Sequence, residues 1–327
     1  MPEGHTIHRH ARLQHALLAG RLVRVSSPQG RFADADLFDR RKLRAVRAHG
    51  KHLLYHFTAG SIHVHLGMYG RFWVRRAHGA AHRPDAEGSV GAAAGNRGDY
   101  DATVSDHRAL PEPTPSTRMR LRIRGGRGGG GRSDLAVDLT GPTACEAMDG
   151  DAVEALLARL GPDPIATPGP EVGRGVYERI AASRSPIGTL LMDQAVVAGV
   201  GNAYRSELLF RAGLDPRTPG REVGEARWMA LWQDTVALLG IGVKHRHILC
   251  VEPAFLGKRR YRELAADERF WVYKRKTCRR CGGRVEHFHL NNRSVYCCPA
   301  EQLPFGGGGG VPVGEDGPEA SALKHHA

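Results

Sequence analysis

The chain has 327 residues, room for about two domains at ~150 residues each, and 41% of them are hydrophobic, enough for real cores. Lys and Arg outnumber Asp and Glu by 47 to 34, a formal charge of +13 with His neutral, which points to a polyanionic partner such as nucleic acid. No apolar run reaches the roughly 18 residues of a membrane span, and Glu3, His5, His8 and Arg9 stand where a secretory signal needs apolar residues.

The chain opens Met1-Pro2-Glu3-Gly4. Pro2 is small enough for Met1 to be removed, which leaves a secondary amine beside a carboxylate. Such a pair can attack an electrophilic sugar carbon and move protons around it, although alone it is an ordinary terminus. Residues 5–19 read as a helix, with Ile7, Ala11 and Leu18 on one face and Gly20 as a stop. Short strands follow at Leu22–Val25, Leu43–Val46, His52–Phe57, Ile62–His65 and Phe72–Val74, separated by turn residues. Residues 77–116 are rich in Ala, Gly, Asp and Pro without periodicity and read as a disordered insertion. Arg118–Arg124 alternates charged and apolar residues, predicting a strand with one buried face and a row of four arginines on the other. Leu135–Leu139 returns after a Gly-rich turn. This half is mostly antiparallel β, either a sandwich or a flattened barrel.

A short helix is expected over 151–160, then a Gly/Pro-rich boundary from Gly161 to Pro170. Beyond it the pattern is helical. Val176 and Ile180 share a face, and Ser185-Pro186 suits the start of a helix over 186–193. A tight turn at Gly199–Asn202 precedes a helix over 204–211, and 225–239 carries Trp228, Leu231, Thr235 and Leu238 on one stripe. Five glycines from 306 open a tail with no core pattern.

Of six cysteines, Cys145 and Cys250 stand alone while Cys278, Cys281, Cys297 and Cys298 cluster. That is metal-site spacing in a reducing compartment, not a disulfide framework. Cys278-x2-Cys281 and Cys298 have the spacing of a zinc ribbon, but Glu301 occupies the place of a fourth cysteine. Glu301 fits that spacing as a ligand, and Cys297 is its rival. Lys274, Arg275, Lys276, Arg279, Arg280 and Arg293 surround the ribbon, so a metal-clamped hairpin would press cations onto phosphates. The Gly199-Val200-Gly201-Asn202 turn opens a helix whose N–H groups suit a phosphate. Lys51 starts a strand after Gly50, and either solvates it or meets an anion. Met68 and Tyr69 form an apolar tip between glycines, either core or a wedge able to enter a base stack.

Pro-Glu-Gly at 2–4, Gly-Lys-His-Leu-Leu at 50–54, His-Leu-Gly-Met-Tyr-Gly at 65–70, Pro-Ile-Gly-Thr-Leu-Leu-Met-Asp-Gln at 186–194, Gly-Val-Gly-Asn-Ala-Tyr-Arg-Ser-Glu at 199–207 and the terminal ribbon occur in that order. Together they resemble the formamidopyrimidine-DNA glycosylase/endonuclease VIII family, over about residues 2–76, 117–165 and 174–302. The Pro-Glu-Gly-His-Thr start and the Met-Tyr tip are similar to its actinobacterial endonuclease VIII-like branch. The resemblance implies a multidomain α+β fold. A two-layer antiparallel β-sandwich would span 2–165 and a linker 166–173. A helix-two-turn-helix domain would span 174–270, a zinc-finger hairpin 271–303, and a disordered tail 304–327. It implies a bifunctional glycosylase and abasic-site lyase of base excision repair. This would be a cytoplasmic, nucleoid-associated monomer acting on damaged double-stranded DNA.

Carried over by the resemblance, Pro2 is the nucleophile and Glu3 the proton donor and acceptor. Lys51, His65, Asn202 and Arg293 hold phosphates, and Met68 and Tyr69 fill the gap left by the extruded base. Structural zinc would be held by Cys278, Cys281, Cys298 and Glu301, or Cys297. Oxidised pyrimidines are favoured over oxidised purines on the same grounds. Many relatives carry a second acid where this chain has His5-Thr6, which leaves proton traffic to Glu3 or solvent. That departure and Glu301 keep a non-catalytic damage-binding protein as the reading from another class.

Overall fold

The structure is a computed structural model and describes residues 2–77, 103–125 and 134–303. Helix α1 (Gly4–Leu18) buries Ile7, Ala11 and Leu18, as its 3.6-residue spacing requires. After it come β1 (Leu22–Ser26), the short α2 (Ala35–Phe38), β2 (Arg41–His49), β3 (His52–Phe57), β4 (Gly60–His65) and β5 (Arg71–Ala77). With β6 (Thr103–His107), β7 (Thr117–Ile123), β8 (Asp134–Thr140) and β9 (Ala144–Met148) they form a sheet ordered β6-β5-β8-β7-β1-β2-β3-β4-β9. β1 is the corner: Leu22 and Val23 pair with β2, while Arg24, Val25 and Ser26 pair with β7. The sheet therefore folds over at this corner into two layers, with β6 and β9 at its edges. Phe72, Val74, Leu121 and Val137 from one share a core with Leu43, Leu53, Tyr55 and Val64 from the other.

Helix α3 (Gly150–Ala158) is capped by Asp149, which accepts the Ala152 N–H at 2.8 Å, and packs Val153 and Leu156 against Leu54. Helices α4 (Pro170–Ala181), α5 (Ile187–Leu190), α6 (Asn202–Arg211) and α7 (Glu225–His245) build a second core around Tyr204, Leu208, Phe210, Trp228 and Trp232. The hairpin β10 (Glu286–Leu290) and β11 (Arg293–Cys297) follows. Its root is rigidly attached, because Val272, Cys278, Val285 and Cys298 belong to the helical core.

The structure corrects four expectations. Residues 103–107 lie inside the stretch read as disordered, yet form β6 and pair in parallel with β5. Residues 78–102 of that stretch, and the tail over 304–327, lie outside the described residues. Helix α4 starts at Pro170, within the linker expected over 166–173, because Pro suits the first turn. Helix α5 is short, and Pro186, not Ser185, is its N-cap. The arginine row on β7 is no open cationic face. Arg120 pairs with its cross-strand neighbour Asp138 at 2.6 and 3.0 Å, Arg122 reaches Asp134 at 3.0 Å, and Arg118 donates to Gln29 at 2.8 Å.

Candidate active site

Three distant segments meet backbone to backbone. The Gly4 N–H donates to the Gly199 carbonyl at 2.9 Å. A Cβ on Gly4 would lie 2.9 Å from Gly199 Cα, and one on Gly50 2.8 Å from Ala198 Cβ. Gly50 has φ +55°, and His49 pairs with His52 around it, the arrangement of a two-residue hairpin with glycine at its first central position. The start of α1, the β2–β3 turn and the loop before α6 can approach this closely only because no side chain intervenes.

Glu3 sits at that junction and is 2% exposed. Its carboxylate accepts the N–H groups of Gly201 and Ala203, both at 2.9 Å, and so serves the N-terminus of α6 from the far end of the sequence. Burial raises its pKa above the ordinary carboxyl value, against the opposing pull of Lys51 and these amides. Lys51 donates to the Val200 carbonyl at 2.7 Å. Its pKa is pushed down to about 8 by burial, with Glu3 opposing and Arg293 adding to the shift. Asp163 fixes the turn that carries Lys51. It accepts the Gly50 N–H and the His8 Nε2–H, each at 2.6 Å, and the Ile165 N–H at 2.8 Å. Burial would raise the Asp163 pKa, but these bonds prevail and hold it below the usual value.

Pro2, Lys51, His65, Met68 and Arg293 line one cleft of about 340 Å³, together with Met192 and Gln194. His65 ends β4, and burial lowers its pKa, with His63 and Lys51 adding to the effect. The β4–β5 turn closes through the Gly70 N–H and the Leu66 carbonyl at 2.9 Å, and lifts Met68 and Tyr69 to 50% and 76% exposure. Tyr69 is not among the residues that line the cleft. Arg293 follows a turn in which Asn291 and Asn292 both have positive φ, the type I′ pattern, which aims it from the hairpin tip. Asn202 does not line the cleft. Its side-chain oxygen accepts from Arg205, and Arg205 also donates to the Ser294 carbonyl at 2.8 Å and the Gly188 carbonyl at 3.3 Å.

Three residues that shape the cleft escaped the sequence reading. Arg205 and Gln194 lie within the quoted motifs but were given no role. Gln194 accepts the Gly199 N–H at 3.0 Å and donates to Val200 at 3.1 Å, so it shapes the loop under Glu3. Asp163 lay in a Pro-rich stretch read as a boundary, with no signal for its partners.

Cys278, Cys281 and Cys298 bring their Sγ atoms within 4.8 Å of one another. Cys281 and Cys298 are 3.5 Å apart, close to the ~3.8 Å edge of a tetrahedron with ~2.3 Å zinc–sulfur bonds. The soft donors and their spacing fit a zinc ion. Among the described residues neither expected fourth donor joins them. Glu301 is paired with Arg280 at 3.3 Å, and Cys297 lies 3.9 Å from Glu286.

The sequence profile of the formamidopyrimidine-DNA glycosylase N-terminal domain matches residues 1–127, and that of the H2TH domain of the same enzymes matches residues 160–250. Endonuclease 8 1 of Mycobacterium tuberculosis is 41% identical over 312 residues, covering 92% of this chain and 100% of that protein. The crystal structure of the Fpg protein from Thermus thermophilus superposes with a TM-score of 0.64 at 26% identity, over 93% of this chain and 99% of that one. The Fpg of Lactococcus lactis non-covalently bound to abasic-site DNA shares the fold, with a TM-score of 0.62 at 16% identity over 92% and 99% of the two chains. By profile, by sequence over 92% of its length and by fold, the chain belongs to the formamidopyrimidine-DNA glycosylase/endonuclease VIII family.

Proposed function

We propose that this protein is a bifunctional DNA glycosylase and abasic-site lyase of base excision repair, using the Pro2 amine as nucleophile and favouring oxidised pyrimidines. The observation that carries the reading is the placement of Pro2 in one cleft with three candidate phosphate ligands, Lys51, His65 and Arg293, over a buried Glu3. Removal of Met1 exposes a terminal amine with a reference pKa of about 8, so a useful fraction is neutral near pH 7.

The damaged nucleotide leaves the stack, at a cost of a few kcal/mol that a poorly paired lesion reduces. Met68 and Tyr69 offset part of that cost by entering the vacated space. The Pro2 nitrogen bonds to C1′ as the glycosidic bond breaks, and the base departs with its electron pair. Glu3, whose pKa burial raises, supplies a proton for sugar-ring opening and base departure. The secondary amine yields an iminium cation, which acidifies the C2′ proton. Loss of that proton expels the 3′ phosphate by β-elimination, and a second elimination would release the 5′ phosphate. The N–H groups that open α6, which the sequence suggested for a phosphate, are taken by Glu3, so Asn202, held by Arg205, offers a further phosphate contact only through its side-chain amide. Zinc on the three thiolates would fasten the hairpin that presents Arg293, outside the reacting atoms.

The test is borohydride trapping on duplexes carrying an abasic site, thymine glycol or 8-oxoguanine. Wild-type protein is expected to trap on all three duplexes and to act faster on thymine glycol, while protein that retains Met1, in which the Pro2 nitrogen is an amide, loses trapping. Trapping by the Met1-retaining protein at wild-type level removes Pro2 as nucleophile. Faster action on 8-oxoguanine assigns the purine preference instead.

A further inference from the structure

The three-cysteine cluster differs from a closed structural site, because among the described residues no fourth donor side chain joins it. Glu301 stands at the spacing of a fourth ligand, yet its carboxylate is bound to Arg280 at 3.3 Å. Arg280 cannot easily follow it elsewhere, because its guanidinium lies over Phe210 and Trp271, 4.7 and 4.9 Å from the ring centroids. The turn carrying Glu301 is also locked. Gln302 is fully buried, accepts the Cys298 N–H at 2.8 Å and donates to the Leu214 carbonyl at 2.8 Å, while the Glu301 N–H reaches the Cys298 carbonyl at 3.1 Å.

Cys297 is turned the other way. It ends β11, where successive side chains point to opposite faces, and its sulfur lies beside Glu286. Glu286 is in turn engaged by Arg217 at 3.1 Å. Drawing Cys297 into the cluster would break that arrangement and reverse the end of the strand. Of the three thiols, Cys278 and Cys298 are buried and Cys281 is exposed, so solvent reaches the group at Cys281.

We infer that this site holds its metal through Cys278, Cys281 and Cys298 alone and leaves the fourth coordination position open to a small external donor, such as water, a thiol or an imidazole. Zinc accepts three protein ligands plus an exchangeable fourth, and an open position makes the metal accessible to competing ligands. The hairpin that carries Arg293 would then hang on a metal that exchanges and responds to external thiols. The chemistry proposed for Pro2 is independent of this.

The experiment uses the full chain under reducing conditions, with cobalt(II) in place of zinc for spectroscopy and chelator competition for zinc affinity. Imidazole is expected to shift the cobalt absorption bands of the wild type. Glu301→Gln should keep zinc affinity within about twofold, because it removes no ligand. Glu301→Cys should tighten zinc by roughly 10–100-fold and abolish the imidazole response, because it closes the fourth position. A cobalt spectrum that imidazole leaves unmoved in the wild type overturns the inference, since a fourth donor from anywhere in the chain would have that effect. So does a Glu301→Gln variant whose zinc affinity falls roughly tenfold or more. Glycosylase and lyase activity measured on the same samples reads the Pro2 proposal separately.

Discussion

Glu3 caps α6 across 198 residues of sequence, and its chemistry follows from that placement. A carboxylate at a helix N-terminus gains up to ~2 kcal/mol when partly buried, which favours the charged form. Desolvation favours the neutral form and is the larger effect here, so burial raises the Glu3 pKa despite the cap. Glu3→Gln keeps the shape and one acceptor oxygen but has no proton to give. Excision from a thymine glycol duplex is therefore expected to fall by ~10²–10⁴-fold, the usual weight of general acid–base catalysis. Cleavage of a preformed abasic duplex, which needs no base departure, should survive in part. Equal retention of both rates would take Glu3 out of the excision step. The pairing of Pro2 with Glu3 was legible in the sequence as two adjacent functional groups. The capping was not, because nothing in a linear pattern tells a carboxylate at position 3 that its hydrogen-bond donors are at 201 and 203.

At the scale of elements, α6 and the terminal hairpin act as one unit. Arg205 is fully buried on α6 and reaches the Ser294 carbonyl beside Arg293, with burial lowering its pKa to about 10. Two residues on, Glu207 accepts the N–H groups of Trp271, Val272 and Tyr273 at 2.8, 2.9 and 2.8 Å, and so ties the hairpin's root to the same helix. The run from Gly199 to Glu207 thus spends its polar side chains on fixing Arg293 and Asn202 relative to Glu3. That explains why so compact a motif was recognisable, while the roles of Arg205 and Glu207 inside it were hidden until their partners near 271 and 294 were placed. Arg293 itself is exposed at the hairpin tip. Replacing it with Ala should leave the fold intact and weaken binding to every duplex. The slope of log affinity against log salt should flatten by about 0.9, the share of one phosphate contact. An unchanged slope in a fluorescence-anisotropy salt titration would mean that Arg293 does not meet phosphate.

At the scale of the whole molecule, the sandwich and the helical unit each have their own core, and the candidate catalytic groups are drawn from both sides. Pro2, Lys51 and His65 come from the first, Asn202 and Arg293 from the second, so the site exists only while the two are held in register. Gly4, Gly50 and Gly199 permit the close approach on which that register rests. The strand pattern and the helical stripe made both cores readable in the sequence, because periodicity reports which face is buried. It reports nothing about how two units meet, and Gly4 and Gly199 carry no side-chain signal to read. Gly4→Ala separates the two kinds of consequence. Alanine is the better helix former by up to ~1 kcal/mol, which supports the first turn of α1. Its methyl group would meet Gly199 Cα at 2.9 Å, closer than carbon atoms tolerate, and push α1 off the loop that positions Glu3. The two effects partly cancel in stability but not in geometry, where a shift approaching 1 Å costs on the order of 10²-fold in rate. Single-turnover excision by Gly4→Ala should therefore fall by ~10–100-fold, while the melting temperature and the salt slope of DNA binding stay close to wild type. Wild-type excision in a variant with an unchanged melting temperature would show that the joint tolerates the methyl group, and that the register between the two units is set elsewhere.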